Sequence, residues 1–317
     1  MPLLSIKDNP AFKTPIAELK EYFASGIGRL EFDTHLCFVC GANGPLASDG
    51  NPSLRFQFLR FLGEKKPRNF VPLKAEIALE EFVRDPDEHH VNLSDFETAI
   101  GETVNSILIF PESPGSFAEV GLFSGSEELA EKTLVACREA YQGSSFLTMG
   151  PIHYLSSASQ YRPIPIVVGN NEDAAFDQIS ERLLEYSLDL NPPPRRHRKR
   201  LTSCQLKLVP PRTQVAIISE LICICGFLTE EDFKFLIAEI FGKYDISRVR
   251  HQLALLVAMN RVCRSEVSDI IARQTTQLLI EFPSDIRNRL QAKWRNAYRR
   301  EAPQLLQEAQ EAINESS

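Results

Sequence analysis

The side chains best suited to chemistry lie in one stretch, residues 107–121, where an apolar run leads into a polar loop and then a helical pattern. We predict that a buried strand ends at Phe110 and that a helix begins near Phe117. The carboxyl end of a strand is where α/β sheets bind their ligands. The polar side chains that this order brings to that position are Glu112, Ser113, Ser116 and Glu119.

The loop of this stretch has the features of a pocket for a ribosyl group. Gly115 allows the backbone to approach a ligand closely, and the hydroxyls of Ser113 and Ser116 can form hydrogen bonds with sugar hydroxyls. The N-terminus of the following helix favours an anionic group. The substrate-binding residues predicted here are Ser113, Pro114, Gly115 and Ser116.

A second candidate is the glycine-rich turn at residues 40–50, which follows an apolar run and leads into a helix that begins near Ser53. It resembles a loop that binds a phosphate or a nucleotide, and we predict that Gly41, Asn43 and Gly44 contact substrate. The turn lacks the G-x-G-x-x-G spacing and the lysine of a P-loop, so a turn without a ligand is also open.

The cysteines and histidines give no metal-site pattern. His89 and His90 are adjacent in a polar loop, and adjacent side chains rarely converge on one ion. Cys223 and Cys225 lie two residues apart in an apolar helix and face different sides, so we expect packing thiols. We therefore predict neither a metal nor a cofactor.

Charge is divided unevenly along the chain. Of the 317 residues, 43% are hydrophobic, which excludes a disordered or fibrous protein. Residues 1–190 hold 15 Lys and Arg against 28 Asp and Glu, a net charge of −13, whereas residues 191–317 hold 20 against 14, a net charge of +6. A basic half attracts a phosphate backbone, while an acidic half repels it and is the better place for chemistry.

Basic residues of the second half form the predicted nucleic-acid contacts, which we expect to be mostly to phosphates. Most of them follow three prolines in a run that a solvated linker would also explain. The others flank a predicted recognition helix that begins near Asp245. The residues are Arg195, Arg196, Arg198, Lys199, Arg200, Lys243, Arg248 and Arg250.

The elements that must position these residues follow from the alternation of apolar runs with helical patterns. The runs are too apolar for a sheet with one face in water, as is typical of buried parallel strands. The predicted strands are Leu36–Cys40, Asn69–Leu73, Ser106–Phe110, Thr133–Cys137 and Ile164–Val168. This pattern predicts a doubly wound α/β domain with a parallel five-stranded sheet.

Three prolines at 192–194 stop any helix and mark a boundary between domains. We place an N-terminal helix at 1–26, a catalytic domain at 27–190, a basic linker at 191–204 and an α-rich, winged-helix-like DNA-binding domain at 205–317.

In the last domain, helical patterns indicate a helix-turn-helix. Residues 261–264 are expected to pair with 277–282 as the wing, and a final amphipathic helix begins at Ser284. No apolar run in the chain approaches the roughly 20 residues that cross a bilayer, and Met1–Pro10 lacks a signal-peptide pattern. We expect a cytoplasmic protein with reduced thiols and no membrane partner.

Two motifs resemble those of the nucleoside deoxyribosyltransferase-like effectors encoded beside bacterial retrons. One is Phe38-Val-Cys-Gly41 with the loop after it, and the other is the long run Phe110-Pro-Glu-Ser-Pro-Gly-Ser-Phe-Ala-Glu-Val-Gly121. Leu93-Ser94 with Glu97, and Gly150-Pro151, follow in matching order, so the resemblance covers about residues 27 to 170. The C-terminal half is similar only in kind, as a winged-helix-like module.

The resemblance implies a toxin of a tripartite anti-phage system that is released when a phage disturbs the complex. Its partners would be the retron reverse transcriptase and the branched multicopy single-stranded DNA that this enzyme makes. The implied activity is cleavage of an N-glycosidic bond, and in the family's Gly-Ser-x-x-Glu pattern the nucleophile falls on Glu119. A carboxylate there can stabilise the oxocarbenium-like centre or form a glycosyl ester. Glu112 and Glu97 are the candidates to assist departure of the base.

Structural interpretations of these carboxylates stay open beside the catalytic ones. Glu119 in the first turn of a helix would also complement the helix dipole, and Glu112 would also cap a helix or pair with a basic residue. The sequence departs from the family pattern at Asn105, where related enzymes often carry an aspartate. The family's N-terminal tyrosine has no clear counterpart, since Tyr22 precedes the first strand of the predicted sheet.

Several functions remain open at this stage. The substrate would be NAD, whose cationic nicotinamide leaves without an acid, or another nucleoside or (deoxy)nucleotide, with water or a second base as acceptor. A different class is a transcription regulator in which the α/β domain senses a nucleotide without turning it over. A homo-oligomer is possible, because pockets of this family are in some cases completed by a neighbouring subunit.

Overall fold

In a computed structural model of the chain, the residues described are 6–25, 29–30, 35–67, 70–82, 92–139, 143, 145–185, 210–242, 246–265, 270–274, 280–281 and 284–315. They form two compact units. The α/β unit is Asp33–Pro192, and the C-terminal unit combines Met1–Phe32 with Pro193–Ser317.

The strands in chain order are β1 (Arg29–Leu30), β2 (His35–Cys40), β3 (Phe70–Leu73), β4 (Ser106–Ile109), β5 (Thr133–Arg138), β6 (Ile166–Val168), β7 (Phe227–Thr229), β8 (Val262–Arg264), β9 (Ile270–Arg273) and β10 (Ile280–Glu281).

The helices are α1 (Pro10–Ala24), α2 (Leu54–Lys65), α3 (Ala75–Phe82), α4 (Leu93–Thr103), α5 (Pro114–Ser124), α6 (Glu127–Glu131), α7 (His153–Ala158), α8 (Glu172–Glu185), α9 (Pro211–Cys225), α10 (Glu230–Phe241), α11 (Ile246–Ala258), α12 (Ser284–Glu301) and α13 (Pro303–Glu315). A π-helical turn at Thr148–Ile152 leads into α7.

The α/β unit is built on a parallel sheet with the strand order β3-β2-β4-β5-β6. All six residues of β2 and all four of β4 are buried, as expected for strands covered on both faces. The chain crosses from one side of β2 to the other between β3 and β4, so the order reverses between β2 and β4. Ligands of open α/β sheets bind at such a switch point. The predicted doubly wound five-stranded sheet is confirmed.

Local signals start the helices around this switch point. The Ser53 hydroxyl accepts a hydrogen bond from the Phe56 amide at 3.2 Å, and the Asn92 side chain accepts one from the Ser94 amide at 3.1 Å. These N-caps satisfy amide groups that the first turn leaves without a helical partner. They fix where α2 and α4 begin, and therefore which of their residues face the sheet edge.

The C-terminal unit has the element order helix, strand, helix, helix, strand, strand from α9 to β9. Its three-stranded sheet is antiparallel with the order β7-β9-β8. The predicted pairing of residues 261–264 with 277–282 is wrong. Residues Val262–Arg264 pair with Ile270–Arg273, while Ile280–Glu281 pairs with Arg29–Leu30. The hairpin closes with a shorter loop than the apolar pattern indicated.

The leading helix α1 belongs to the core of the C-terminal unit, where it contacts α10 and α12. The Phe12 ring lies 5.5 Å from that of Trp294 and 5.0 Å from that of Tyr298. The Tyr22 hydroxyl donates a 2.9 Å hydrogen bond to Glu220, whose carboxylate also accepts two from Arg287. The sequence pattern predicted this helix but did not indicate which helices it packs against.

Candidate functional site

A cavity of about 490 Å³ opens in the α/β unit at the carboxyl ends of β2 and β4. Its size falls within the roughly 300 to 1,000 Å³ of small-molecule sites. Four helices and two loops contribute to the wall, which is lined by Phe38, Val39, Gly41, Ala42, Asn43, Leu46, Ala47, Ser48, Arg55, Glu76, Leu79, Leu93, Glu97, Ser113, Gly115, Ser116 and Glu119. The position is the one that the strand-order reversal predicts for a ligand.

The structure brings most of the predicted site residues together at this cavity. Those that line it are Gly41, Asn43, Glu97, Ser113, Gly115, Ser116 and Glu119. Gly44, Pro114 and Glu112 are not among the lining residues. Pro114 instead occupies the first turn of α5, where its fixed φ suits a helix start.

The loop before α5 is held by a reciprocal cap between Ser113 and Ser116. The Ser113 hydroxyl accepts from the Ser116 amide at 3.2 Å, and the Ser116 hydroxyl accepts from the Ser113 amide at 2.9 Å. The Ser116 hydroxyl also accepts from the Glu112 amide and donates to the Ser113 carbonyl. Ser116 is fully buried, so its hydroxyl shapes the turn, and Ser113 is the more accessible of the two serines.

Glu112 is a structural carboxylate. It is 3% exposed, and its two oxygens accept hydrogen bonds from the Ser53 hydroxyl at 2.6 Å and from the amides of Leu54 at 2.7 Å and Arg55 at 3.1 Å. A longer bond of 3.4 Å comes from the Ala42 amide. Glu112 therefore caps α2 and ties the glycine-rich turn to the end of β4. Of its predicted roles, the geometry shows capping, and acid catalysis by Glu112 stays a prediction.

This anchoring also changes the interpretation of the glycine-rich turn. A phosphate bound at the start of α2 would accept hydrogen bonds from the amides of Leu54 and Arg55. Both amides already donate to the Glu112 carboxylate. Gly41 is required because the turn passes very close to α2: a Cβ built there would lie 2.7 Å from Cβ of Arg55. The turn forms one wall of the cavity, with its backbone held by a protein carboxylate.

Arg55 and Glu76 form a bidentate ion pair at the cavity that the sequence did not reveal. The guanidinium donates to the two Glu76 oxygens at 2.5 and 2.7 Å, and also to Asn43 Oδ1 at 3.0 Å. Arg55 is 4% exposed. A basic residue in the first turn of a helix opposes the helix dipole, and that local conflict was the available signal. Glu76 in turn begins α3 just after β3, at the same sheet edge.

Glu119 and Glu97 carry the electrostatic signature of the site. Burial and the charges of Glu97 and Glu76 raise the pKa of Glu119 to about 8. Arg55 and the nearby Cys40 thiol act in the opposite direction and lower this pKa. Burial and the charge of Glu76 raise the pKa of Glu97 as well. The Glu119 Oε2 atom is buried and accepts no hydrogen bond from any residue that the structure describes. Such shifts in a cleft are typical of functional carboxyls.

Asn105 lies at the opposite end of the sheet from the cavity. It precedes β4, its amide donates to the Leu36 carbonyl at 2.9 Å, and its side-chain oxygen accepts from the Leu36 amide at 2.8 Å. It therefore joins β4 to β2. Tyr22 lies in the C-terminal unit, bonded to Glu220, as described above.

Most of the predicted nucleic-acid-binding residues fall outside the described residues. These are Arg195, Arg196, Arg198, Lys199 and Arg200, together with Lys243 and the side chain of Arg248. Arg250 is half-buried on α11, 4.0 Å from Glu230, an acidic residue that also pairs with Lys234 and Arg264.

In the described ranges of the chain, no group of three or more His, Cys, Asp or Glu is arranged to hold a metal ion; His89 and His90 lie outside them. Within those ranges, no helix has both the length and the apolar character that a membrane span needs.

Fold and site together define a doubly wound α/β protein with a carboxylate-lined pocket at its switch point. A family model described as "STM3845 retron effector protein" matches residues 51–264, more than half of the chain. The chain belongs to this family of retron effectors.

Two relatives from Escherichia coli are similar to this chain. One, named "Retron Ec73 putative ribosyltransferase/DNA-binding protein", is 28% identical in an alignment 252 residues long, which covers 70% of this chain and 72% of the relative. The other, named "Retron Ec86 putative ribosyltransferase/DNA-binding protein", is 35% identical over 121 residues, 37% of this chain and 36% of the relative. The family confirms the resemblance to retron effectors.

Proposed function

We propose that this chain is the toxin of a retron anti-phage system and that its α/β unit cleaves the N-glycosidic bond of a nucleotide, with NAD as the favoured substrate. The observation that carries the proposal is the Glu119 carboxyl: it lines a cavity at the switch point, its Oε2 is buried without a described partner, and its pKa is raised to about 8. The names of both relatives include ribosyl transfer, which supports the same chemistry.

The reaction needs Glu119 as the carboxylate. Its oxygen attacks the anomeric carbon, or stabilises the positive charge there, as the bond to the base breaks and the base takes the electron pair. Water then hydrolyses the glycosyl ester and returns the carboxylate. A second base as acceptor in place of water would make the same site a transferase.

The acidity of the cavity favours a cationic leaving group. Glu76, Glu97 and Glu119 share the cavity with Arg55, which Glu76 already neutralises. A carboxyl with a pKa near 8 is largely protonated at pH 7, and a bound cation would displace that proton. The nicotinamide ring of NAD supplies such a cation at the scissile bond, whereas a neutral base would need an acid, for which Glu97 is the candidate.

The C-terminal unit supplies the proposed docking function. Its element order and its β7-β9-β8 sheet support a winged-helix interpretation, in which α11 takes the place of the recognition helix. Both relatives are named as DNA-binding. We propose that this unit binds the multicopy single-stranded DNA, and that this DNA and the reverse transcriptase hold the effector inactive until a phage disturbs them.

The test is expression of the chain alone in bacteria, with nucleotide and NAD pools followed by mass spectrometry. Wild type should deplete one pool and release its free base, and Glu119→Gln should abolish this while the protein stays folded. Glu128→Gln, on exposed α6, is the matched control and should behave as wild type. Growth arrest with unchanged pools would refute the glycosidase and favour a nucleotide-sensing regulator.

A further inference from the structure

The helix α12 presents a row of arginines to solvent. Its other face, formed by Arg287, Leu290, Trp294, Ala297 and Tyr298, is buried against α1, α9 and α13. The exposed face carries four arginines interleaved with Asn288 and Asn296. We call these arginines the α12 basic face; they are Arg289, Arg295, Arg299 and Arg300.

Packing and ion pairing account for the other two basic residues of α12 but not for Arg289, Arg295 and Arg299 of this face. Arg287 donates to Glu220 inside the unit, and Lys293 pairs with Glu18 on α1. Arg300 is 81% exposed and lies 3.4 Å from its sequence neighbour Glu301. Among the ion pairs between described residues, none involves Arg289, Arg295 or Arg299.

Helix stability alone does not explain the arrangement. Arg299 and Arg300 complement the dipole in the last turn, but Arg289 lies in the second turn of α12, beyond the reach of the dipole at either end. Arg295 and Arg299 are four residues apart, and like charges at that spacing weaken a helix. An anionic partner outside the helix would offset the repulsion among these positive charges.

Among the side chains that the structure describes, those of the predicted recognition helix offer less charge. The described side chains of α11, from Val249 to Ala258, are mostly buried, and Gln252 is bonded inside the unit to Gln214. Arg250 shares Glu230 with two other cations. Within the described residues, α12 therefore presents more unneutralised positive charge than α11.

We propose that the α12 basic face is a docking surface for the phosphodiester backbone of DNA. The proposal deepens, and rests on, the DNA binding proposed for the C-terminal unit. From Arg289 to Arg300 the helix rises about 16 Å, a length over which duplex DNA carries about five phosphates on each strand along its axis. The two asparagines between the arginines can add neutral hydrogen bonds to phosphate oxygens. Such contacts fix position on the DNA without reading its sequence.

The test measures binding of the full chain to a fluorescent single-stranded 30-mer over a range of salt concentrations. The triple variant Arg289→Gln, Arg295→Gln, Arg299→Gln should bind on the order of 100-fold more weakly at 0.1 M salt, and the slope of log K against log salt should fall by about 2. The control Lys20→Gln, Arg60→Gln, Lys65→Gln removes the same charge from other exposed positions and should keep the wild-type slope.

Each outcome is decisive. If the triple variant keeps both the affinity and the salt slope of wild type, the proposed α12 surface is overturned. DNA binding by the C-terminal unit then still stands. Absence of wild-type binding even at low salt overturns both. Equal loss in the control triple reduces the effect to net charge and also overturns the α12 surface. Thermal melting of each variant shows that the fold is kept.

Discussion

Each unit of this protein contains a buried arginine–glutamate pair, and the two pairs differ in what surrounds them. In the C-terminal unit, the side chains of Arg287 and Glu220 are 7% and 2% exposed and are sealed among α1, α9 and α12. In the α/β unit, Arg55 is equally buried, but its partner Glu76 keeps 33% of its side chain exposed at a cavity that also holds Glu119. The same chemical pair closes a core in one place and sets protonation states in the other.

The comparison of the two pairs shows how a buried ion pair that only holds a core together differs from one that lines a cavity. Burial of a pair says little about its role, because a sealed pair and a cavity pair both need complete hydrogen bonding. What distinguishes the cavity pair is the place of the group on which it acts: Arg55 lowers and Glu76 raises the pKa of Glu119, a carboxyl that lines a cavity. The sealed pair acts on groups of the core, since burial and Glu220 raise, and Arg287 lowers, the pKa of Tyr22 and of Cys223.

The largest expected effect comes from breaking each pair in turn. Arg287→Met leaves Glu220 buried without its charge partner and should lower the free energy of unfolding of the C-terminal unit by about 3 to 5 kcal/mol. Arg55→Met should cost less, about 2 to 3 kcal/mol, because water reaches Glu76. Denaturant melts of the full chain check both values.

The two variants should also differ in activity. Arg55 lowers the pKa of Glu119, so Arg55→Met should raise the pH at which the rate of base release levels off. Arg287→Met should leave that pH unchanged wherever the protein is folded. An equal shift in both variants would remove the distinction between the pairs.

A smaller effect is expected from crowding the cavity pair. Gly41→Ala places a methyl group 2.7 Å from Cβ of Arg55, so the turn or α2 must move, at a cost of about 1 to 3 kcal/mol. Because Gly41 lines the cavity proposed to hold the substrate, KM should rise as well. Gly44→Ala meets nothing within 4 Å and is the matched control. Equal melting temperatures for the two variants would contradict the close approach.

The smallest effect is a pH dependence of stability that belongs to the cavity alone. The pKa of Glu119 rises from an ordinary 4.5 to about 8 in the folded state, so its favourable contribution is complete below pH 4.5 and is lost as the pH rises through 8. Glu119→Gln removes this pH-dependent loss of stability, because the amide does not ionise. A pKa shift of this size corresponds to about 4 kcal/mol between pH 5 and pH 8.5, and because Glu119 is only partly buried, solvent in the cavity should screen about half of it. The variant should therefore gain on wild type by on the order of 2 kcal/mol over this range, measured by thermal melts. A difference that does not change with pH would place the Glu119 pKa near its ordinary value.

Much of the α/β unit could be predicted from the sequence because its strands are continuous apolar runs. Thr133–Cys137 and Ser106–Phe110, for example, differ from the observed strands by one residue each. Glu119 could also be placed at the cavity, since a helix that starts after a buried strand fixes where its first residues lie. The predicted helix start near Phe117 was wrong, because α5 begins at Pro114 and Glu119 therefore lies in its second turn.

The remainder depended on contacts between distant residues. Glu112 caps α2, which begins 58 residues earlier, and Arg55 pairs with Glu76 across 21 residues of chain. No local pattern specifies either partner. The partner of β8 was predicted wrongly for a related reason: Ile270–Arg273 and Gln277–Phe282 are both apolar enough to pair, and the tertiary fold chooses between them.

The most direct test of the central claim is the pH dependence of base release by the purified full chain with NAD, in wild type and in Glu119→Gln. The account predicts that kcat/KM of wild type rises with pH and levels off near pH 8, because Glu119 must lose its proton, and that the variant is slower by a factor on the order of 10³ or more. Equal rates in the two proteins, or a rate that falls as the pH rises through 8, would contradict a carboxylate role for Glu119.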